Sequence, residues 1–288
     1  MSTIHHVLCP YDFSAQCRQI SPFVQALAAR CQARVTLFGV VPPVWDIAPI
    51  GSEIFAGENT SDWERELRSR LNLELTTELG GVTVDRVTDS GDPALKIVEF
   101  ARTHAVDLIM MPTHGVGLFR SLLLGSVTAK VLHDTECPVW TATHAEEQRS
   151  RPLPATILCA VDGTAESMKL LQWAAPFSAA LGATLELLHV VGAVTDWPSL
   201  EREQMLQDRV RDAARVRIEE LQKAAKVAAP APLRVTVGDV VEAIAEEARE
   251  ESADLILIGR GSLTAPLARL RTRAYGIIRR SPCPVLSV

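Results

Sequence analysis

The residues best suited to chemistry stand in one loop, Pro112-Thr-His114-Gly115-Val-Gly117-Leu-Phe-Arg120, which runs on to Gly125-Ser126-Val127. Glycine carries no Cβ, so backbone there can approach a ligand closely. Gly125-Ser126 opens a stretch of helical character that Ser126 can cap. The free N–H groups of that first turn then form an anion site by geometry and by dipole. Arg120 adds a cation nearby. Asp12 follows an apolar run and is a lone carboxylate, able to accept from a ribose hydroxyl or to hold a metal-bound phosphate. The combination points to a phosphate-bearing nucleotide. The glycines alone also fit ordinary turn chemistry, since neither GxxxxGK[ST] nor GxGxxG is present.

Alternating elements must position these groups. Residues 4–9 read as a short apolar strand stopped at Pro10. A helix capped by Ser14 follows, with apolar residues at Ile20, Phe23, Val24, Leu27, Ala28 and Cys31, and Pro22 either in its first turns or at a kink. Arg34–Val41 is a strand, 61–79 an amphipathic helix ended by Gly80-Gly81, 82–88 a strand, and 92–104 a helix begun by Asp92-Pro93. Val106–Met111 is an apolar strand, 126–133 a helix and 138–141 a closing strand. The fully apolar strands predict a parallel sheet covered on both faces. Ligands bind such sheets beyond the carboxyl ends of the strands. That is where Asp12, Val40 and the Pro112–Ser126 loop fall.

The whole order then repeats. Val106-Asp107-Leu-Ile-Met-Met recurs as Ala253-Asp254-Leu-Ile-Leu-Ile, and Ser90-Gly91-Asp92 as Val237-Gly238-Asp239. Cys9 and Asp12 recur as Cys159 and Asp162, and Cys137-Pro-Val as Cys283-Pro-Val. The offset drifts only from 150 to 146 residues, so the chain reads as two copies of one domain. The expected domains are 1–143 and 155–288, with 144–154 as linker. In the second copy strands are expected near 156–161, 184–191, 233–237, 254–259 and 284–288. Helices are expected near 165–181, 199–227, 240–251 and 272–280.

Composition excludes several function classes. A net charge of −6 without a basic cluster argues against nucleic-acid binding. No apolar run is long enough for a membrane span, and the first ten residues lack a signal-peptide pattern. The expectation is a soluble, cytoplasmic protein. The cysteines sit in apolar runs and read as buried small hydrophobes; no CxxC pair suggests zinc. His5 and His6 point to opposite faces of a strand and form no metal pair. His114 reads equally as a phosphate contact or a solvated loop residue. His189, at the position matching Gly39, reads as packed beside a crevice rather than catalytic. Trp45 and Trp63 flank a long loop, as a lid or as packing.

The spacing Gly-x2-Gly-x9-Gly-[Ser/Thr], the early Asp, the Gly-Asp before the third helix and the closing Cys-Pro-Val strand together resemble the universal stress protein (UspA-like) family, here in tandem form. The resemblance implies a five-stranded parallel sheet in order 3-2-1-4-5, flanked by helices, in each half. It implies ATP, with Mg²⁺, in the first half: Asp12 at the ribose or metal, Val40 at adenine through its backbone, and Gly115, Gly125, Ser126 and Val127 at the phosphates. Pro10, Pro112, His114 and Arg120 complete the expected lining. Pro112 replaces the motif's first glycine. In the second half Gly259 matches that glycine, but Ser262 replaces the second and Thr272-Arg273 replaces Gly-Ser, so that half is expected to lack ATP. The family's pairing of closing strands implies an internal pseudo-dimer through 139–141 and 284–288 and a possible homodimer; a protein partner, not identified by the sequence, is also expected. The implied role is an ATP-binding regulator or sensor in the stress response, with at most slow ATP hydrolysis. A non-nucleotide interaction module and a weak ATPase are the alternatives.

Overall fold

The computed structural model describes residues 4–43, 60–114, 124–142, 151–192, 200–227, 230–260 and 269–288. The chain divides into two compact units, Ile4–Glu147 and Gln148–Val288.

In the first unit the strands are β1 (His6–Pro10), β2 (Arg34–Val41), β3 (Val84–Ser90), β4 (Leu108–Pro112) and β5 (Val139–Ala142). They lie parallel in the order β3-β2-β1-β4-β5. The central strands β1 and β4 are buried along their whole length, which is why their sequences do not alternate. The helices are α1 (Ala15–Gln19), α2 (Ser21–Cys31), α3 (Thr60–Leu71), α4 (Pro93–Thr103) and α5 (Ser126–Asp134).

In the second unit the strands are β6 (Thr156–Ala160), β7 (Thr184–Val191), β8 (Leu233–Val237), β9 (Leu255–Ile258) and β10 (Val285–Ser287). Their order is β8-β7-β6-β9-β10, again parallel. The helices are α6 (Ala165–Leu181), α7 (Leu200–Ala224), α8 (Val240–Glu250) and α9 (Arg269–Arg280). Each half is therefore the expected doubly wound α/β sheet in order 3-2-1-4-5.

The aspartates of the repeated apolar motif have a mechanical role. Asp107 Oδ2 accepts from the N–H groups of His5 and His6 at 2.8 and 2.9 Å. Asp254 Oδ2 accepts from Ala155 and Thr156 at 2.9 and 3.0 Å. Each carboxylate thus anchors the start of its domain's central strand to the start of the neighbouring one, at the end of the sheet away from the ligand side. Such charge-assisted bonds are worth about 1.5–3 kcal/mol.

Two helices of the N-terminal domain differ from expectation. The first breaks into α1 and α2. Pro22 has no N–H for the Arg18 carbonyl, and the Ser21 hydroxyl donates to that oxygen instead, at 2.8 Å. The helix expected over 61–79 stops at Leu71, and residues 72–81 continue as turns. Leu75 has a φ of 52°, left-handed, which an α-helix cannot contain. Leu71, Leu75 and Leu79 are nonetheless all buried, so the apolar spacing is kept while the helix is not. Among the described residues no helix is long and apolar enough to cross a membrane.

None of the six cysteines forms a disulfide. Cys9 and Cys159 lie in the strand cores at 1% and 0% exposure, where burial pushes both thiols up to about 12. His6 is buried and its Nε2 meets the Thr36 hydroxyl at 2.8 Å, while His5 is exposed.

Candidate functional site

In the N-terminal domain the crevice forms where β2, β1 and β4 end. Pro10 closes β1, and Asp12 stands two residues beyond it. Asp12 Oδ1 accepts from the Ser14 N–H at 2.9 Å and from the Cys17 thiol at 3.1 Å. The first turn of α1 therefore folds back and holds the carboxylate. Ser14 caps α1, accepting from the Cys17 N–H at 3.2 Å. Between them Phe13 takes a left-handed φ of 63°, which costs a non-glycine residue about 1–2 kcal/mol. Its ring is held edge-on to Tyr11 with centroids 5.2 Å apart, and the Arg70 guanidinium lies 4.3 Å over its centroid. Tyr11 in turn donates to Glu74 at 2.7 Å. Val40, half-buried, lies at the carboxyl end of β2.

Across the crevice, β4 and α5 are tied together. The Thr113 carbonyl accepts from the Gly125 N–H at 2.8 Å, and the Pro112 carbonyl accepts from the Thr128 hydroxyl at 3.1 Å. A Cβ at position 125 would stand 3.1 Å from the Thr113 oxygen and 3.5 Å from His114 Cα. Glycine is favoured there by close approach, not by φ, which is −59°. The expected capping role of Ser126 is corrected. Gly125 is the N-cap and Ser126 the first helical residue. With no side chain at the cap, the first-turn N–H groups of Ser126 and Val127 are offered outward, as the anion-site geometry requires. Pro112 lies within β4, paired with Ala142. The alternate N–H groups of Ile109 and Thr113 serve β5, so the missing N–H of Pro112 falls on the β1 side. There the Pro10 carbonyl faces the Cys17 thiol at 3.6 Å. His114 Nδ1 meets the Thr113 hydroxyl at 2.8 Å.

Pro10, Asp12, Val40, Pro112, His114, Gly125, Ser126 and Val127 are thus gathered at one end of one sheet. Gly115 and Arg120 lie outside the described residues, as does Trp45. Cys17, Thr113 and Thr128 act in the site and escape a reading of the sequence. The one available signal is that Cys17 and Ser167 each stand five residues after the repeated aspartate. Among the described residues, no three His, Cys, Asp or Glu side chains gather as a metal-binding group.

The equivalent place in the C-terminal domain is a defined cavity of about 220 Å³ where β6, β7 and β9 end. Asp162 takes the position of Asp12. Its Oδ1 accepts from the Thr164 N–H and hydroxyl at 3.0 and 2.7 Å and from the Ser167 hydroxyl at 2.6 Å. Burial pushes this carboxyl up, and the bonds from Ser167 and Thr164 outweigh it, so the net pKa lies below the ordinary value. Position 39 and position 189 solve the same space differently. Gly39 admits Leu67 of α3, whose Cδ2 would stand 3.3 Å from a Cβ, whereas His189 fills its place with its own ring and bonds the Val161 carbonyl at 2.7 Å. The helix after the loop also differs, for α9 already begins at Arg269. The residue matching Ser126, Arg273, therefore lies in its second turn.

Comparison with known proteins agrees with this duplication. The model of the universal stress protein family matches residues 3–142 and again 155–288. A Thermus aquaticus protein, the universal stress protein in QAH/OAS sulfhydrylase 3'region, is 30% identical over 133 residues, 46% of this chain and 94% of its own. A universal stress protein of Mycolicibacterium smegmatis is 23% identical over 203 residues, 69% of this chain and 68% of its own. The crystal structure of a universal stress protein from Archaeoglobus fulgidus DSM 4304 shares the fold with a TM-score of 0.69, over 98% of this chain and 95% of that one, at 21% identity. Two matches in one chain, two sheets of one strand order and two aspartate-headed crevices lead to one conclusion: the chain belongs to the universal stress protein family, as a tandem of two such domains.

Proposed function

We propose that the N-terminal domain binds ATP, with Mg²⁺, and that the protein is a nucleotide-dependent regulator or sensor in the cytoplasmic stress response. The observation that supports this reading best is the junction of β4 and α5. Gly125 lets the helix start close against the Thr113 carbonyl, and the first-turn N–H groups of Ser126 and Val127 lie at the same end of the sheet as Asp12. In this reading those N–H groups take the phosphates, Asp12 takes the ribose or the phosphate-bound metal, and Val40 meets the base through its backbone. Gly115 and Arg120, outside the described residues, join the phosphate side. Hydrolysis is slow at most in this reading, with Asp12 a lone carboxylate rather than one of a pair. The same reading pairs the closing strands β5 and β10 as an internal dimer.

Isothermal titration of ATP with Mg²⁺ into the wild-type chain and Gly125→Val tests it. One site per chain, lost in the variant, is the expected result. Two sites would contradict the asymmetry between the halves. No binding would favour an interaction module with both loops vestigial.

A further inference from the structure

The cavity of the C-terminal domain is walled by Leu170, Leu188, Ile244, Ile258 and Ile277, all buried. Its polar groups have well-defined hydrogen-bonding capacity. The three donors on Asp162 Oδ1 fix that carboxylate, and Oδ2 takes part in none of those bonds. The Ser167 hydroxyl is used up. It donates to Asp162 and accepts from the N–H groups of Asp162 and Gly163 at 3.0 and 3.2 Å. His189 Nδ1 faces a carbonyl, the Val161 oxygen at 2.7 Å. A carbonyl only accepts, so Nδ1 carries the proton and Nε2 is an acceptor in the neutral ring. Glu166 adds a second carboxylate, with its Oε1 3.4 Å from Lys169 Nζ. Arg273, exposed at the rim, is the one Lys or Arg among the described lining residues.

Among the described residues acceptors therefore outnumber donors in this cavity, and none of those residues cradles a phosphate. Because α9 starts at Arg269, the N–H of Arg273 falls inside the helical hydrogen-bond ladder. A phosphate would also meet Glu166, a carboxylate where the N-terminal domain has Gln16. Size narrows the ligand further. About 220 Å³ exceeds the roughly 150 Å³ that accepts benzene and falls below the roughly 300 Å³ where drug-sized ligands begin.

We infer that the C-terminal crevice is a second ligand site, built for a compact phosphate-free molecule with an apolar body and a hydrogen-bond-donating head, ammonium or hydroxyl, seated on Asp162 and His189. This holds whether or not the N-terminal domain takes a nucleotide.

Three probes share one apolar body and differ in the head: benzylamine, benzyl alcohol and benzoate. Each is titrated into the full chain carrying labelled Ile, Leu and Val methyl groups, followed by NMR. Benzylamine is expected to bind best and benzyl alcohol next, with shifts concentrated on the methyls of Leu170, Leu188, Ile244, Ile258 and Ile277. Benzoate is expected to leave them unmoved. Asp162→Asn should weaken benzylamine about tenfold, the loss of one charge-assisted bond, with a thermal melt showing that the variant is folded. The wild-type mapping stands without that variant. Preference for benzoate, no shift with any probe at millimolar concentration, unchanged benzylamine binding in a folded Asp162→Asn chain, or ATP moving the same methyls would overturn the inference.

Discussion

The loop after β1 and the loop after β6 are the same device built with different atoms. In the first, Asp12 is held by a backbone N–H and the Cys17 thiol, and Phe13 carries the left-handed turn. In the second, Asp162 is held by a backbone N–H and two hydroxyls, and Gly163 carries the turn with a φ of 78°. The thiol contact is 3.1 Å and the matching Ser167 contact 2.6 Å. A duplicated fold has kept the geometry of an aspartate loop while changing how firmly it is gripped and what surrounds it. The differences extend across each crevice, to a helix that starts at Ser126 in one and at Arg269 in the other.

The largest way to break this comparison is at the helix start. Gly125→Val should abolish ATP binding in the first domain, by more than a hundredfold, because a side chain there meets the Thr113 carbonyl. The double change Thr272→Gly, Arg273→Ser should not create binding in the second, since α9 begins a turn too early. Titration calorimetry on both chains checks this. Next come the strand anchors. Asp107→Ala and Asp254→Ala each leave two backbone N–H groups without their carboxylate. Each should cost about 2 kcal/mol in urea denaturation, by nearly equal amounts if the two domains share one architecture. A smaller effect is expected at the turn. Gly163→Ala should lose about 1 kcal/mol, because its φ is left-handed while a Cβ there would make only ordinary van der Waals contact, the nearest atom being 3.6 Å away. The smallest is at the grip itself. Ser167→Ala removes one of the bonds that hold the Asp162 carboxyl below its ordinary value, so that pKa should rise in a carbon-detected NMR titration. A carboxylate with a depressed folded pKa contributes stability above its unfolded pKa and loses it as pH falls through the folded one. The variant should therefore unfold in acid at a slightly higher pH than the wild type.

Most of the fold is legible because burial writes it directly into the sequence. β2, β7, β8 and α6 occupy the spans that apolar patterning and turn residues predict, 34–41, 184–191, 233–237 and 165–181. The end of α3 was not legible. Leu71, Leu75 and Leu79 keep a helical spacing, and nothing in a leucine announces a left-handed φ. At the site, residue types alone bring out Asp12, Pro112 and Gly125, since carboxylate, proline and glycine each have a distinctive capacity. Cys17 and Ser167 were hidden. Their role exists only once the first turn of the helix folds back on the aspartate, and a cysteine in an apolar helix reads as packing. The C-terminal cavity was hidden for the opposite reason. A departure from a binding motif shows what a site has lost, whereas its new walls come from strands and helices far apart in the chain.

The anchoring aspartates sit at the end of each sheet remote from the loops. Integrity of the domain and identity of its ligand are thereby assigned to opposite poles of one sheet. The two copies differ at the crevice pole and agree at the anchors, where Asp107 and Asp254 each hold two N–H donors. Such a partition lets a gene copy change its chemistry without first risking its fold.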